Sequence, residues 1–436
     1  MGSREGTWVA LGGTLLAVLA VQGGCGGDAD TTSGSGAGTS TSVGGGATSA
    51  GGSDGGAGGG DGGAGGSFDG LPTVYDLTLR LREDLQGTLL EESRRGGWPV
   101  LTEEGYVIVS VEPSLPMVAG DFDNWAGTPL AADEGFRLAL VQLGAAQGGY
   151  KLTDGTTYVA DPWARAYRYD DFGELSLIGP GPGPHLERHF EVGDVDTLPR
   201  RVRVWHPGGQ PSHVLYVQDG QNLFDPDAPF GGWHLQDVAP AGMMLVGIDN
   251  TSDRFDEYTP VPDVIGGNLV GGEADDYAAF LHDEVRPLIA EHYGEPAKVG
   301  VMGSSLGGLV SLFIAHEASD YVFAASLSGT LGWGSIGTNN LTLIEDFAQS
   351  PSPTFTIYLD AGGGGTCVDS DMDGIEDDAP DGADNYCENR QMRDTLLGLG
   401  MQQGVDLFFV HEPGAPHNEA AWAARVATPM TIFAGL

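Results

Sequence analysis

Positive charge is scarce in this sequence. Its 436 residues include 19 Lys and Arg against 61 Asp and Glu, a formal net charge of −42. Nucleic acids and anionic lipid surfaces are bound through clustered Lys and Arg side chains, so this composition excludes both as partners. Long hydrophobic runs are also missing, since the apolar stretch near the N-terminus is shorter than the ~20 residues of a membrane-spanning helix. A hydrophobic content of 40% is still enough for a packed core.

Cysteine is rare as well, with three residues in the chain. Residues 1–24 combine one Arg, a short apolar run and small residues, the pattern of a secretory signal peptide. The following Gly23-Gly24-Cys25 resembles a bacterial lipoprotein signal, which implies that Cys25 is lipidated. Lipidation of Cys25 leaves Cys367 and Cys387 to pair as a disulfide. We therefore expect an exported protein that is anchored to the bacterial cell envelope by its lipid alone.

The next segment, residues 25–67, is rich in Gly, Ser and Thr and holds no aromatic residue and no cation. Such a segment cannot bury enough apolar surface to offset the entropy of ordering it. We therefore expect a disordered tether that holds the rest of the protein away from the membrane.

Residues 68–178 begin with leucines at i, i+4 spacing, which predict a helix over 77–92, and continue with short alternating strands. Residues 118–125, 150–155 and 161–163 resemble the early-set, immunoglobulin-like β-sandwich that precedes the catalytic domain in glycogen-branching enzymes and enterochelin esterases. The resemblance implies a small sandwich domain. It also allows Trp125 or Trp163 to hold a sugar chain, although packing is the interpretation we favour for both.

Residues 185–436 have a different pattern of apolar and polar residues. Unbroken apolar runs alternate with amphipathic stretches, which predicts a mostly parallel sheet with helices on both faces. The expected fold is therefore an α/β-hydrolase domain preceded by the small sandwich.

A nucleophile motif lies in this second domain. Gly303-Ser304-Ser305-Leu306-Gly307 stands between a predicted strand and a predicted helix, the setting of the G-x-S-x-G nucleophile elbow. The motif predicts Ser305 as the nucleophile, with the backbone N–H of Leu306 in the oxyanion hole. His417 follows the last predicted strand, where this fold places the general base, whereas His411 lies within that strand and is interpreted as a packing residue.

Several motifs in order resemble the putative esterase family that includes esterase D, feruloyl esterases and enterochelin esterase. They are Asp219-Gly220-Gln221-Asn222, Asp249-Asn250, Arg254, Glu257-Tyr258-Thr259-Pro260, the Ser305 motif and Gly414-Ala415-Pro416-His417-Asn418. The resemblance implies a serine esterase in which Gln221 completes the oxyanion hole. It leaves Asp360, Asp369 and Asp384 as candidates for the triad acid. Asp384 is preferred, because a family-like helix resumes there.

The family pattern is interrupted by an insertion at residues 366–388. Its Asp369-Ser370-Asp371-Met372-Asp373-Gly374 run begins like a calcium-binding EF loop and resembles a thrombospondin type 3 repeat. A structural Ca²⁺ is expected on Asp369, Asp371, Asp373, Ile375 and Asp377, the alternative being a solvated acidic loop. No organic cofactor is expected.

Together these features predict an exported serine esterase that acts on a small-molecule or polysaccharide-linked ester through an acyl-enzyme. One alternative is an enterochelin esterase, although an anionic siderophore needs a more basic pocket than this chain provides. The other is an inactive surface protein that binds carbohydrate.

Overall fold

The computed structural model describes residues 70–143, 148–194, 197–228, 230–378 and 384–436. The predicted signal peptide, Cys25 and the whole of the predicted tether lie outside these ranges. The strands within them are β1 (Val100–Thr102), β2 (Gly105–Ser110), β3 (Met117–Gly120), β4 (Thr128–Pro129), β5 (Ala131–Ala132), β6 (Arg137–Val141), β7 (Gly148–Thr153), β8 (Tyr158–Val159), β9 (Ala166–Asp170), β10 (Gly173–Ile178), β11 (His185–Val192), β12 (Arg200–His206), β13 (His213–Gln218), β14 (Met243–Ile248), β15 (Asp263–Ile265), β16 (Asn268–Val270), β17 (Lys298–Ser304), β18 (Phe323–Leu327), β19 (Thr356–Ala361) and β20 (Leu407–His411).

The helices are α1 (Val74–Glu83), α2 (Leu85–Arg95), α3 (Leu235–Val238), α4 (Arg254–Glu257), α5 (Ala274–Phe280), α6 (Arg286–Tyr293), α7 (Leu306–Glu317), α8 (Leu343–Gln349), α9 (Tyr386–Gly398), α10 (Glu419–Arg425) and α11 (Ala427–Ala434). A π-helical turn, Leu281–Val285, joins α5 to α6. Over the described ranges, none of these helices has the length and apolar character needed to cross a membrane.

The second half of the chain is built on parallel strands. Strands β14, β13, β17, β18, β19 and β20 lie side by side and parallel, and β12 and β11 continue the sheet in antiparallel pairing. One face is buried against α5 to α9 and the other against α10 and α11. The predicted α/β architecture, with helices on both faces of the sheet, is confirmed.

The first half contains two sheets, as a sandwich requires, but they do not form a separate body. Strands β1, β2, β6 and β5 make one sheet, whereas β3, β4, β7, β8, β9 and β10 belong to the same 14-stranded sheet as the strands of the second half. The two halves merge because β9 pairs with β10 on one side and with β11 on the other. The second sheet of the expected sandwich therefore continues into the sheet of the second half, which leaves no free strand edge at the junction.

Two details of the first half bear on the sequence predictions. The helix expected over 77–92 is two helices, because Asp84 is extended and its side chain accepts the N–H of Gly87 to begin α2. Trp163 packs against Phe190 of β11, with ring centroids 5.5 Å apart, whereas Trp125 is 37% exposed beside Tyr158.

Candidate active site

The turn between β17 and α7 holds Ser305. This residue has φ 55° and ψ −127°, a conformation that is strained for a side chain larger than glycine. The turn closes because its flanking residues lack side chains: a Cβ on Gly303 would lie 2.4 Å from the backbone of Gly307, and one on Gly307 would lie 3.0 Å from the Cβ of Gln218. The sharp turn projects Ser305 beyond the carboxyl edge of the sheet, with Leu306 as the first residue of α7.

The loop between β20 and α10 brings His417 to this serine. Its Nε2 lies 3.0 Å from Ser305 Oγ, and its Nδ1 lies 2.6 Å from Asp384 Oδ1. The ring of Trp422 packs edge-on against the imidazole at a centroid distance of 4.9 Å. A carboxylate accepts but does not donate, so Nδ1 carries the proton and Nε2 is left to accept the proton of the serine hydroxyl.

The buried carboxylate of Asp384 is held in one orientation. Its second oxygen, Oδ2, accepts hydrogen bonds from Ser328 Oγ at 2.7 Å and from the N–H of Gly362 at 2.5 Å. The guanidinium of Arg425 lies 3.5 Å from the same oxygen and provides a counter-charge. A buried carboxylate with its lone pairs satisfied in this way can orient a histidine without itself moving.

Asp360 lies near the end of β19, where this fold usually carries its acid, but in the part of the chain that the structure describes its carboxylate does not contact the histidine. Its carboxylate accepts hydrogen bonds from the hydroxyl of Tyr358 at 3.0 Å and from Arg425 at 3.1 Å. Burial raises the pKa of Asp360 to about 6. The carboxylate that reaches His417 is that of Asp384, and Asp360 shares the guanidinium of Arg425 with it.

Two residues that support the acid were missed by the sequence analysis. Ser328 donates to Asp384 and accepts hydrogen bonds from Arg425 at 2.9 Å and from the indole of Trp422 at 3.1 Å. Ser328 has a positive φ of 48°. Neither Ser328 nor Arg425 belongs to a motif, so the sequence held no signal that could have found them.

The predicted oxyanion residues flank the nucleophile. Gln221 lies in a 3₁₀ turn, Gly220–Asn222, directly after β13. This turn is next to the start of α7, because a Cβ on Gly307 would be 3.2 Å from the carboxylate of Asp219. The structure therefore places Gln221 and Leu306 on segments that meet beside Ser305.

An ion pair anchors the Gln221 turn. Asp219 has a left-handed backbone, φ 59°, and accepts two hydrogen bonds from Arg254, at 2.8 and 2.9 Å. Asn250 Nδ2 donates to the same carboxylate at 2.6 Å. Across from this pair, burial and then the charge of Asp219 raise the pKa of Glu419. The rim of the site is therefore acidic, and the charge of Arg254 is already neutralised by Asp219.

The predicted disulfide is present between Cys367 and Cys387, whose Cα atoms are 5.4 Å apart. It ties the insertion to the first turn of α9. Asp378 makes a second tie, since its carboxylate accepts the N–H of Cys387 at 2.7 Å. Both contacts lie within a few residues of Asp384.

The predicted calcium loop is partly convergent. Its first three acidic side chains place carboxylate oxygens within 4.8 Å of one another: Asp369, Asp371 and Asp373. Ile375 is buried, and its N–H donates to Asp373 at 2.8 Å. Asp377 is not part of this group of three carboxylates. Its carboxylate instead accepts a hydrogen bond from the N–H of Ser370 at 2.9 Å. Burial, and then the charge of the neighbouring acids, raise the pKa of Asp373.

A family model described as "Putative esterase" matches residues 197–430, more than half of the chain. The chain belongs to this esterase family. The serine, histidine and carboxylate described above all lie within the matched range.

This esterase is similar to an uncharacterized Bacillus subtilis protein, YbbA, with 34% identity over 130 residues that cover 28% of this chain and 51% of YbbA. The chain thus spans about half the length of that curated relative. An IroE-like serine hydrolase from Shewanella oneidensis is 18% identical with a TM-score of 0.45, covering 57% of this chain and 80% of the other. Ferric enterobactin esterase from Salmonella typhimurium is 15% identical with a TM-score of 0.41, covering 77% of this chain and 95% of the other. The family assignment rests on the family model.

Proposed function

We propose that this esterase hydrolyses carboxylic esters through an acyl-enzyme formed on Ser305. The observation that carries the proposal is one line of contacts, in which His417 lies 3.0 Å from the serine hydroxyl and 2.6 Å from Asp384. In this reaction His417 Nε2 takes the proton of Ser305 as its Oγ attacks the ester carbonyl carbon. The backbone N–H groups of Leu306 and Gln221 donate hydrogen bonds to the carbonyl oxygen and stabilise the negative charge that develops on it.

The tetrahedral intermediate then collapses as the bond to the alcohol oxygen breaks, and His417 gives its proton to the departing alcohol. A water molecule replaces the alcohol, loses a proton to His417 and attacks the acyl carbon. The bond from that carbon to Ser305 Oγ then breaks, and His417 returns the proton to Ser305 as the acid leaves. Asp384 remains ionised throughout. Its role is to hold the Nδ1–H tautomer and to stabilise the imidazolium.

The charges around the site favour a neutral ester as substrate. Two arginines lie close to the triad, but Arg254 is paired with Asp219, and Arg425 lies between Asp360 and Asp384. Neither is available to bind an anion such as a ferric tricatecholate. We therefore infer that the substrate is an acetyl or feruloyl ester, either in a small molecule or on a polysaccharide.

Hydrolysis of p-nitrophenyl acetate tests the mechanism. Ser305→Ala should lower kcat/KM by at least about 10⁴-fold, whereas Ser304→Ala, one residue away at the end of β17, should leave it within a few-fold. Equal rates for the wild type and Ser305→Ala would instead support a surface protein that only binds its ligand. For the substrate, feruloyl sugars, acetylated xylan and ferric enterobactin should be compared, and selective cleavage of the last would contradict the charge argument.

Two further properties are proposed from the sequence and the loop. The converging carboxylates of Asp369, Asp371 and Asp373 fit a Ca²⁺ ion, which prefers several carboxylate and carbonyl oxygens. Such an ion would neutralise like charges in the loop that precedes the triad acid. The signal-like N-terminus and Cys25 support export and lipid anchoring at the cell envelope.

A further inference from the structure

A cavity lies at the junction of the two halves of the protein. Its volume is about 780 Å³, within the ~300–1,000 Å³ range of ligand sites. Its walls come from the segment after α2, the start of β11, the end of β12 and the end of α6. Three histidines line it: His185, His206 and His292.

This cavity is at the opposite edge of the sheet from Ser305. The parallel strands β13 and β17 run toward the nucleophile, which follows the carboxyl end of β17. In contrast, α6 ends at Tyr293 just before β17 begins, and β12 ends at His206 shortly before β13 begins. The two sites are therefore separated by the length of the central strands.

The charged groups of the inner wall are already paired. Glu187 accepts hydrogen bonds from Arg165 at 3.0 Å and from the hydroxyl of Tyr293 at 2.9 Å, and its other oxygen is 2.8 Å from the ring of His185. Glu92 is bound by Arg80 at 2.5 Å. An anion would have to displace one of these partners and would also face the exposed carboxylate of Asp76, whose side-chain partner is the hydroxyl of Thr73, so anionic ligands are disfavoured.

The groups left free in the inner wall are neutral. His292 Nδ1 lies 3.2 Å from Arg165, which can only donate, and His206 Nδ1 accepts the N–H of Gly208 at 3.2 Å. Each ring is therefore a tautomer with its proton on Nε2, and neither Nε2 has a hydrogen-bond partner among the described residues. Burial is the main reason that both pKa values are lowered, which keeps the rings uncharged. The hydroxyl of Tyr106, 3.3 Å from the Cβ position of Gly179, adds a third free polar group.

We propose that this cavity is a binding site for a neutral oligosaccharide. Two N–H donors and a hydroxyl match the many acceptor oxygens of a sugar, the paired charges and the exposed carboxylate of Asp76 select against anionic ligands, and the rings of Tyr106 and Tyr293 supply aromatic walls. A glycan bound in this cavity would hold the enzyme on its substrate, and the edge of the sheet that carries Ser305 would stay open to an acyl group.

Calorimetry on the full-length protein tests this site with xylo-, cello-, malto- and chito-hexaose, and with hexagalacturonate as the anionic comparison. At least one neutral hexaose should bind, and hexagalacturonate should not. His206→Ala and His292→Ala should each weaken binding about tenfold, the effect of one lost hydrogen bond in a partly closed site. His206→Gln keeps a donor and should retain more of the affinity than His206→Ala.

The controls are His234→Ala, which removes a half-exposed histidine elsewhere, and Trp125→Ala, which removes the exposed aromatic of the first half. Both should bind as the wild type does, and His206→Ala should keep its p-nitrophenyl acetate activity. The proposal is overturned if no neutral hexaose binds, if hexagalacturonate binds best, or if Trp125→Ala abolishes binding that the histidine variants retain.

Discussion

Replacement of Asp384 by Asn provides a severe test of the proposed triad. Oδ2 of Asp384 receives hydrogen bonds from Ser328 and Gly362, so the amide oxygen of an Asn must occupy that position. Its NH₂ group then faces His417 Nδ1. Two donors cannot share one hydrogen bond, so the imidazole must move its proton to Nε2, where it can no longer accept the proton of the nucleophile.

The expected loss follows from this tautomer change. A triad whose acid is replaced by its amide loses up to ~10⁴ in kcat, or about 5 kcal/mol of transition-state stabilisation. KM should change little, because Asp384 is buried behind His417 and does not face the substrate. The assay is steady-state hydrolysis of p-nitrophenyl acetate at neutral pH, with circular dichroism to confirm that the variant is folded.

Asp360→Asn is the matched control. Asp360 is as buried as Asp384 and shares Arg425 with it, but it has no contact with His417 in the described structure. It should therefore lose less than about tenfold in kcat. A thousandfold loss in Asp360→Asn beside a nearly normal Asp384→Asn would show that the wrong carboxylate has been assigned.

Three other outcomes are expected. EDTA should lower kcat far more than it raises KM, and added Ca²⁺ should restore kcat. Asp371→Ala should have the same effect as EDTA. If EDTA leaves kcat unchanged, the loop has a structural role that is remote from catalysis. Cys25→Ser should move the protein from the membrane to the soluble fraction and abolish labelling by radioactive palmitate, and retained labelling would contradict the anchor. Asp161, buried beside Tyr150, has its pKa raised by burial from 3.8 to about 6. The folded chain therefore binds its proton more tightly than the unfolded chain, so the melting temperature should fall as pH rises from about 4 to about 6, and Asp161→Asn should flatten that fall.

The parts of the site that could be predicted are encoded locally. The turn around Ser305 needs small residues at fixed offsets between a strand and a helix, and Gly303 and Gly307 satisfy that need within five residues. The disulfide could be predicted because the chain has three cysteines and one of them was assigned to lipidation. His417 could be placed because the last strand of a parallel sheet can be recognised by its apolar run.

The parts that could not be predicted depend on contacts between distant segments. Ser328 and Arg425 are 97 residues apart and meet only because β18 and α10 pack near the same strand ends. The shared sheet is a similar case. The sequence patterns of β9 and β11 are those of ordinary short strands. Three-dimensional packing decides which strand edges pair, and the periodicity of the sequence does not contain that information.

The location of the acid links the calcium and triad predictions. Asp384 precedes α9, whose first turn is fixed to the insertion by the disulfide at Cys387 and by Asp378. On its other side Asn385 donates to the carbonyl of Ser328, beside the nucleophile. If the metal acts by holding the carboxylate in place, EDTA and Asp384→Asn remove the same contribution, so EDTA should lower kcat in the wild type and hardly change it in Asp384→Asn. If EDTA lowers kcat of Asp384→Asn by the same factor as it lowers kcat of the wild type, the loop affects catalysis independently of Asp384.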